Sequence, residues 1–374
     1  MRIPALPGWP PRAAALAVAV ALSPAALTAC GDDENVPPLV DARIDAAAID
    51  APAIDAAVDA PVDAAAFVEP TMLSETGLYA DIAAKTIAPG VVAFTPRWPL
   101  WSDDADKHRW IQLPPGSHID TSSMDHWSFP TGTKVWKEFV RGGRRVETRL
   151  LEKIGPTDDA DDWFMMSFAW DAGEHDAVAA PDGVDDPVGH DDIPAQAACK
   201  ACHRNTRVPS VIIGFSALQL DTAPAIAGQP SLATLVADGR LSDPPAGTMP
   251  YFPLPAGDPL AAAAFGYMHA NCGNCHNPQS DVVDAVPVVL RLPVGELASW
   301  ATTPTYLTTV DRPLGAGAPG ATAVVEPGVP DTSALYLRVT STGSIRMPPL
   351  GREVVDPTGS EAIRAWIASL PPTP

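Results

Sequence analysis

The sequence predicts an α+β multidomain protein, an antiparallel β-rich N-terminal region followed by a mainly α-helical region with a small β insertion. Three observations predict it. Between about residues 70 and 190, runs rich in aromatic and β-branched side chains are bounded by Gly, Pro and Asp, the punctuation of strands. Toward the C-terminus, runs of good helix formers follow Asp-Pro starts. A length of 374 residues with 46% apolar content exceeds one small module, and 43 prolines demand long loops and linkers.

The chain begins "MRIPALPGWPPRAAALAVAVALSPAALTAC", with Arg2 and Arg12 ahead of an apolar run too short to span a bilayer comfortably. It reads as an export signal over residues 1–29. Its end, Leu27-Thr28-Ala29-Cys30, resembles the lipobox of bacterial lipoproteins, where the signal is cut before the Cys and the sulfur carries a diacylglycerol. That resemblance implies lipidation at Cys30 and a membrane contact through the N-terminal lipid, in the cell envelope, periplasmic or surface-exposed. Buried methylenes add about 0.8 kcal/mol each, so several acyl chains anchor a protein stably. An ordinary secretory signal with an unrelated Cys is the plain alternative.

Residues 30–69 read as a disordered acidic tether. A unit of Val or Ile, Asp and Ala recurs from residues 40, 44, 49, 54, 58 and 62, Pro52 and Pro61 interrupt any helix, and aromatics are absent until Phe67. Ten acids against one Arg give this stretch a charge of −9 within a chain total of −21. So acidic a chain is a poor match for nucleic acid, which is gripped by clustered Lys and Arg, and a better one for a basic partner.

The β-rich region, 70–190, contains four strong strand candidates: "KHRWIQL" at 107–113, "TKVWKEFV" at 133–140, "RRVETRLLEKI" at 144–154 and "DWFMMSFAW" at 162–170. Gly142-Gly143 joins the second to the third as a hairpin turn. Seven of the ten tryptophans fall between Trp98 and Trp170, which fits a core more readily than a binding face. Acid-rich loops at 156–163 and 181–192 lack the ligand alternation of a calcium loop and read as solvated. Further on, "DPLAAAAFGYMHANC" and "DPTGSEAIRAWIASL" read as helices, the second with Ser360 as a candidate cap and Ile363, Trp366, Ile367 and Leu370 on one face. Between them "VPVVLRLP" and "TYLTTV" read as the short strands of the β insertion.

Two five-residue motifs carry the chemistry: "CKACH" at 199–203 and "CGNCH" at 272–276. A lone Cys-x-x-Cys suits a zinc site or a redox disulfide, but a His directly after it points to c-type haem attachment. Two thiols about one helical turn apart can add to the two vinyl groups, and the next imidazole then reaches the iron from one face. Zinc would need four ligands brought together and leaves two histidines unexplained, and a thioredoxin-like disulfide wants a βαβ context. The five cysteines divide accordingly: Cys199, Cys202, Cys272 and Cys275 for two covalently bound haem c groups, Cys30 for the lipid. His203 and His276 are then the proximal iron ligands. "SIRMPPLG" at 344–351 offers Met347 for the sixth position of the second iron, its prolines fixing the backbone. For the first, Met249 in "AGTMPYFPLP" is the leading candidate, with His190, His175, a Met of the β region or an open position beside it. His269, just before the second motif, reads as a helix residue and not a ligand.

"YMHANCGNCHNP", "VEPGVPDTSALYLRV", "RMPPLG" and "AIRAWIASL" together resemble a bacterial class I c-type cytochrome module over about 258–370. The resemblance implies Cys272, Cys275 and His276 as haem residues and Met347 as the distal ligand. The first motif, 191–257, departs from the full pattern, since no helix is evident ahead of it. Residues 70–374 as a whole, with "WSFPTGTKVWKEF" and "VETRLL" before the two motifs, are similar to a family of bacterial two-haem c-type cytochromes that brings no reaction with it. The expectation is an exported, lipid-anchored electron carrier between a donor dehydrogenase and a later acceptor. Met ligation at the second iron favours a higher potential there, so electrons are expected to run from first to second. The alternatives are a two-haem peroxidase-like enzyme with an open first iron, or a Trp-rich β domain that binds a ligand and uses the haems as its redox outlet.

Overall fold

The strand runs of the sequence assemble into one six-stranded antiparallel sheet. Its strands are β1 (Val92–Ala93), β2 (Asp106–Gln112), β3 (Lys134–Arg141), β4 (Arg144–Lys153), β5 (Trp163–Trp170) and β6 (Ala177–Ala179), in the spatial order β6-β5-β4-β3-β2-β1. Every neighbour in space is a neighbour in this series, a simple meander. The turn between β3 and β4 is tight because Gly142 and Gly143 both take positive φ, +52° and +77°, which the two-residue hairpin requires and other residues adopt at a cost. This is a computed structural model, and it describes residues 67–185, 192–204, 206–222, 224–314 and 318–372. The export signal, Cys30, nearly all of the tether and His190 lie outside the described residues.

Alternation of side chains sends the residues of each strand to opposite faces, and here both faces are covered. One buries Trp136, Leu150, Phe164, Met166 and Phe168 against Leu73, Leu78 and Tyr79 of the preceding segment. The other buries Ile111, Val135, Leu151, Trp163 and Met165 against Val211, Ile212, Phe215, Leu220, Leu232 and Leu241 from the chain after the first motif. Trp127, Trp136 and Trp163 are 0 to 3% exposed, so these tryptophans belong to the core.

The helical region comprises α1 (Gln196–Cys202), α2 (Ala217–Leu220), α3 (Leu232–Ala237), α4 (Pro259–Asn271), α5 (Asp281–Ala285), α6 (Pro304–Thr309), α7 (Ala334–Val339) and α8 (Pro357–Ser369). The two long ones, α4 and α8, pack together around Phe265, Ile363, Trp366 and Ile367, with Phe265 and Trp366 edge to face at 4.9 Å. Both begin Asp-Pro: the Asp258 side chain accepts from the Ala261 N–H, and Asp356 accepts from those of Thr358 and Gly359. The cap of α8 is therefore Asp356, not Ser360, which sits inside the first turns.

The expected β insertion is absent among the described residues; only isolated bridges such as Val310 to Val325 occur there. "TYLTTV" is helical because Thr303 caps it through the Tyr306 N–H and Pro304 occupies the first helical position. "VPVVLRLP" joins no sheet because its backbone groups are spent on side chains and on the backbone of the second motif. Val289 N–H donates to Thr308 Oγ1, Leu292 N–H to His269 Nδ1, and the Val288 carbonyl faces His276. Residues from Ala65 onward form one compact unit, and the cores cross the boundaries near 190 and 257 drawn from the sequence.

Candidate functional site

Both motif histidines are held in the same way. His203 Nδ1 lies 2.7 Å from the Val211 carbonyl oxygen, and His276 Nδ1 lies 3.1 Å from that of Val288. A carbonyl only accepts, so each ring carries its proton on Nδ1 and presents Nε2 as a bare lone pair. Burial pushes the His203 pKa down to about 4, with Lys137 and Arg149 adding to the effect, and lowers that of His276, where Arg338 contributes. Both are neutral imidazoles, the form that binds a metal.

The local backbones differ. Cys199 and Cys202 lie within the short helix α1, which packs on β5, and the His203 N–H closes its last turn on the Cys199 carbonyl at 3.0 Å. Cys272 ends α4, and the Cys275 and His276 N–H groups both return to its carbonyl, at 3.1 and 2.9 Å. Cys199, Cys202, Cys272 and Cys275 are all free thiols and partly exposed. Burial pushes Cys272 up to about 12 and raises Cys199 and Cys275, so these sulfurs are thiols, not thiolates.

The structure brings the two motifs together. Asp281 joins Arg204 and Arg207, the Asn277 amide donates to the Arg207 carbonyl at 2.9 Å, and the Asp281 N–H donates to that of Thr206 at 3.0 Å. Cys202 stands near enough to Cys275 to add to the rise of its pKa. No three His, Cys, Asp or Glu side chains converge among the described residues, so the cysteine pairs do not form the four-ligand cage zinc would require.

Each candidate methionine sits on a loop tied into the core beside its motif. Met249 precedes Tyr251 and Phe252, whose N–H groups donate to the Asp221 carboxylate at 3.0 and 2.7 Å and whose rings join the core that Cys199 packs against. The Met347 N–H donates to the Arg338 carbonyl at 3.0 Å, and the Arg338 guanidinium is a neighbour of His276. Both methionines are half-buried. His175 is 84% exposed in its side chain and stands on the turn before β6, paired with Asp171. His269 is buried and accepts the Leu292 N–H on Nδ1 at 3.1 Å, which puts its proton on Nε2 and leaves that nitrogen no lone pair for a metal.

Sequence reasoning missed three contributions. The Val211 and Val288 carbonyls are backbone groups, and nothing in a side-chain pattern signals them. The loop ahead of β2 reaches the second motif: the Trp101 N–H donates to Asn271 Oδ1 at 2.7 Å, and Asp103 Oδ1 accepts from the Glu353 and Val354 N–H groups. Arg352, beside Cys272, holds the Arg338 and Ser341 carbonyls, while its Nε and the Trp101 indole nitrogen are buried without hydrogen-bond partners among the described residues. The third is a row of basic residues beside His203, Arg109, Lys137 and Arg149, which come from three different strands and so leave no local pattern in the sequence. One cavity of ≈ 350 Å³ lies near Trp300 and Trp366, and another of ≈ 250 Å³, lined by His126, Trp127, Trp163 and Val211, borders the segment whose carbonyl orients His203. No family model, curated protein or solved structure matches this chain.

Proposed function

We propose that this chain is an exported, lipid-anchored two-haem c-type cytochrome that carries electrons between a donor dehydrogenase and a later acceptor. The observation that carries the reading is the paired histidine geometry: two Cys-x-x-Cys-His motifs, each with Nδ1 engaged by a backbone carbonyl and Nε2 left as the available donor. Metal-binding imidazoles are oriented by such a second contact, which fixes tautomer and ring plane. When bound, each haem supplies an iron that alternates between ferric and ferrous and so holds one electron.

The chain's residues fit that group. Cys199 with Cys202, and Cys272 with Cys275, are free, partly exposed thiols available for thioether bonds. His203 and His276 would hold the irons, with Met249 and Met347 as their candidate further ligands. The orphaned N–H donors of Trp101 and Arg352 suit a group with carboxylate oxygens at the second motif. Arg204, Arg207, Asn277 and Asp281 keep the two motifs at a fixed, short separation, as transfer between them requires.

Absorbance and electron paramagnetic resonance spectra of the pure protein, oxidised and reduced, test the reading, wild type beside Met347→Ala. Two haems per chain are expected. The variant should lose one sulfur-to-iron band in the near infrared, show one lowered potential and bind small ligands at that iron, because a thioether ligand stabilises the ferrous state. A variant that keeps the band removes Met347 as ligand, and a pure protein without haem absorbance overturns the reading as a whole.

A further inference from the structure

Beside the segment that orients His203 lies the cavity of ≈ 250 Å³, and Trp127, Trp163, Val208 and Val211 form its apolar walls. Three parts of the chain meet there. Trp127 stands on the short hairpin that pairs Asp120–Ser123 with His126–Ser128, Trp163 opens β5, and Val208 and Val211 follow α1. Both tryptophans are buried, and neither indole nitrogen has a hydrogen-bond partner among the described residues. A buried indole N–H ordinarily finds an acceptor, and leaving one unmet costs more than a made bond contributes. Two such donors on the wall of one cavity call for a ligand that accepts.

Other polar groups at the cavity are already engaged. The His126 ring is held by the Pro209 backbone and the Gln279 side chain. Asp158 accepts from Lys153 Nζ at 2.8 Å, and the same ammonium donates to the Phe129 carbonyl at 2.7 Å. Lys153 Nζ stands 5.9 Å from the Trp163 ring, so the charge beside that indole is offset in place. A carboxylate entering the cavity would exchange its water for two neutral donors, with Lys153 already spent on Asp158. A neutral carbonyl oxygen loses far less hydration and accepts the same bonds. Aromatic walls favour a flat body, and a volume below the about 300–1,000 Å³ of cavities that hold drug-sized molecules limits it to one or two rings.

We propose that this cavity binds a small, flat, neutral ring compound through carbonyl oxygen that accepts from the indole N–H groups of Trp127 and Trp163. The site stands on the cavity and its two donors and does not require the haem reading. That reading bears only on the source of the ligand. Val211 lines the cavity and also holds His203, its carbonyl oxygen 2.7 Å from Nδ1, so a ring bound here sits beside the first motif. For an electron carrier, a quinone headgroup is the carbonyl ring with a use at that place.

The test is calorimetric titration of the full chain as purified, with acetophenone as probe, ethylbenzene as a like body without an acceptor, and benzoate as the charged counterpart. Acetophenone should bind wild type more tightly than either. Trp127→Phe and Trp163→Phe keep a ring and remove the N–H. Each should weaken acetophenone about five- to tenfold, the loss of one neutral hydrogen bond, and change ethylbenzene far less. Should either variant fail to fold, the carbonyl stretch of acetophenone bound to wild type decides: a frequency below its value in hexane supports the two donors, and an unshifted one overturns them. Ethylbenzene binding as tightly as acetophenone overturns the donor role, tighter benzoate overturns the neutral class, and no binding of acetophenone overturns the site. So does binding that haem-free protein shows and haem-loaded protein lacks, which would make the cavity part of the haem's own seat. Duroquinone that displaces acetophenone assigns the ligand to the quinones, and failure to displace it assigns a carbonyl ring without redox chemistry. Absence of haem from the purified protein would overturn the electron-carrier reading and leave the binding result to decide this proposal.

Discussion

His269 and His276 stand seven residues apart and are used in opposite ways. His276 gives its Nδ1 proton to Val288 and keeps Nε2 available, whereas His269 receives the Leu292 N–H on Nδ1 and is locked in the other tautomer, its ring 5.5 Å from that of Trp98. Burial, with Arg291 and Arg97 adding, holds the His269 pKa well below the ordinary imidazole value. The unfolded chain keeps that ordinary value, near 6.5, so below it the unfolded state binds the proton that the folded state refuses. The contribution to stability is whole above pH 6.5 and is lost as pH falls through that value toward the folded one, with a limiting slope of about 1.4 kcal/mol per pH unit. His269→Gln should lower the urea midpoint at pH 8 through lost packing yet show a smaller further drop between pH 7 and 5 than wild type. An equal drop in both proteins would mean that His269 takes up its proton in the fold as readily as in the unfolded chain. The Cys-x-x-C-H spacing separated these two histidines in the sequence, but only the Leu292 contact explains why the first is excluded as a ligand.

At the scale of elements, the packing of α4 on α8 depends on Gly359. A β-carbon there would lie 1.9 Å from Tyr267 Cε2, so the tyrosine ring occupies the space a side chain would need. Gly to Ala in a helix interior is otherwise favourable by nearly 1 kcal/mol, which makes the substitution a clean comparison of opposed effects. Overlap should win: Gly359→Ala is expected to destabilise by about 1–3 kcal/mol, and to become neutral or stabilising in a Tyr267→Leu background. Thermal melts of the four proteins in that cycle measure the coupling, and a single Gly359→Ala variant that melts above wild type would refute the close-approach account. The four long strands and both long helices were legible from local pattern, because alternation, Gly-Gly turns and Asp-Pro starts act within a few residues. "VPVVLRLP" was not, since an apolar, β-branched run has the same composition whether its backbone pairs with a strand or, as here, with Thr308, His269 and His276.

For the whole molecule, the proposed lipid anchor and the proposed haem sites reside in different parts of the chain. Cys30→Ser should therefore release the protein from the membrane fraction with its haem content intact; membrane association that persists in the variant would place the anchor elsewhere. The segments named from composition are less separable beyond residue 70. The face of the sheet that holds Val135 and Leu151 is completed by Phe215 and Leu232, and Trp98 packs on α4 so closely that a β-carbon at Gly266 would meet its indole at 2.2 Å. The sequence by itself determined the two motifs, the spacing that lets two thiols and an imidazole converge, and the alternation of the strands. All of these act over a handful of bonds, where chain geometry leaves few choices. Only the tertiary structure decided that the motifs lie side by side through Arg204, Arg207 and Asp281, that Val211 and Val288 orient the imidazoles, and that Arg109, Lys137 and Arg149 stand in one row beside His203. Asp281 pairs with residues 74 and 77 positions away, and two carbonyls among hundreds are chemically alike, so packing of the apolar cores alone selects which of them meet.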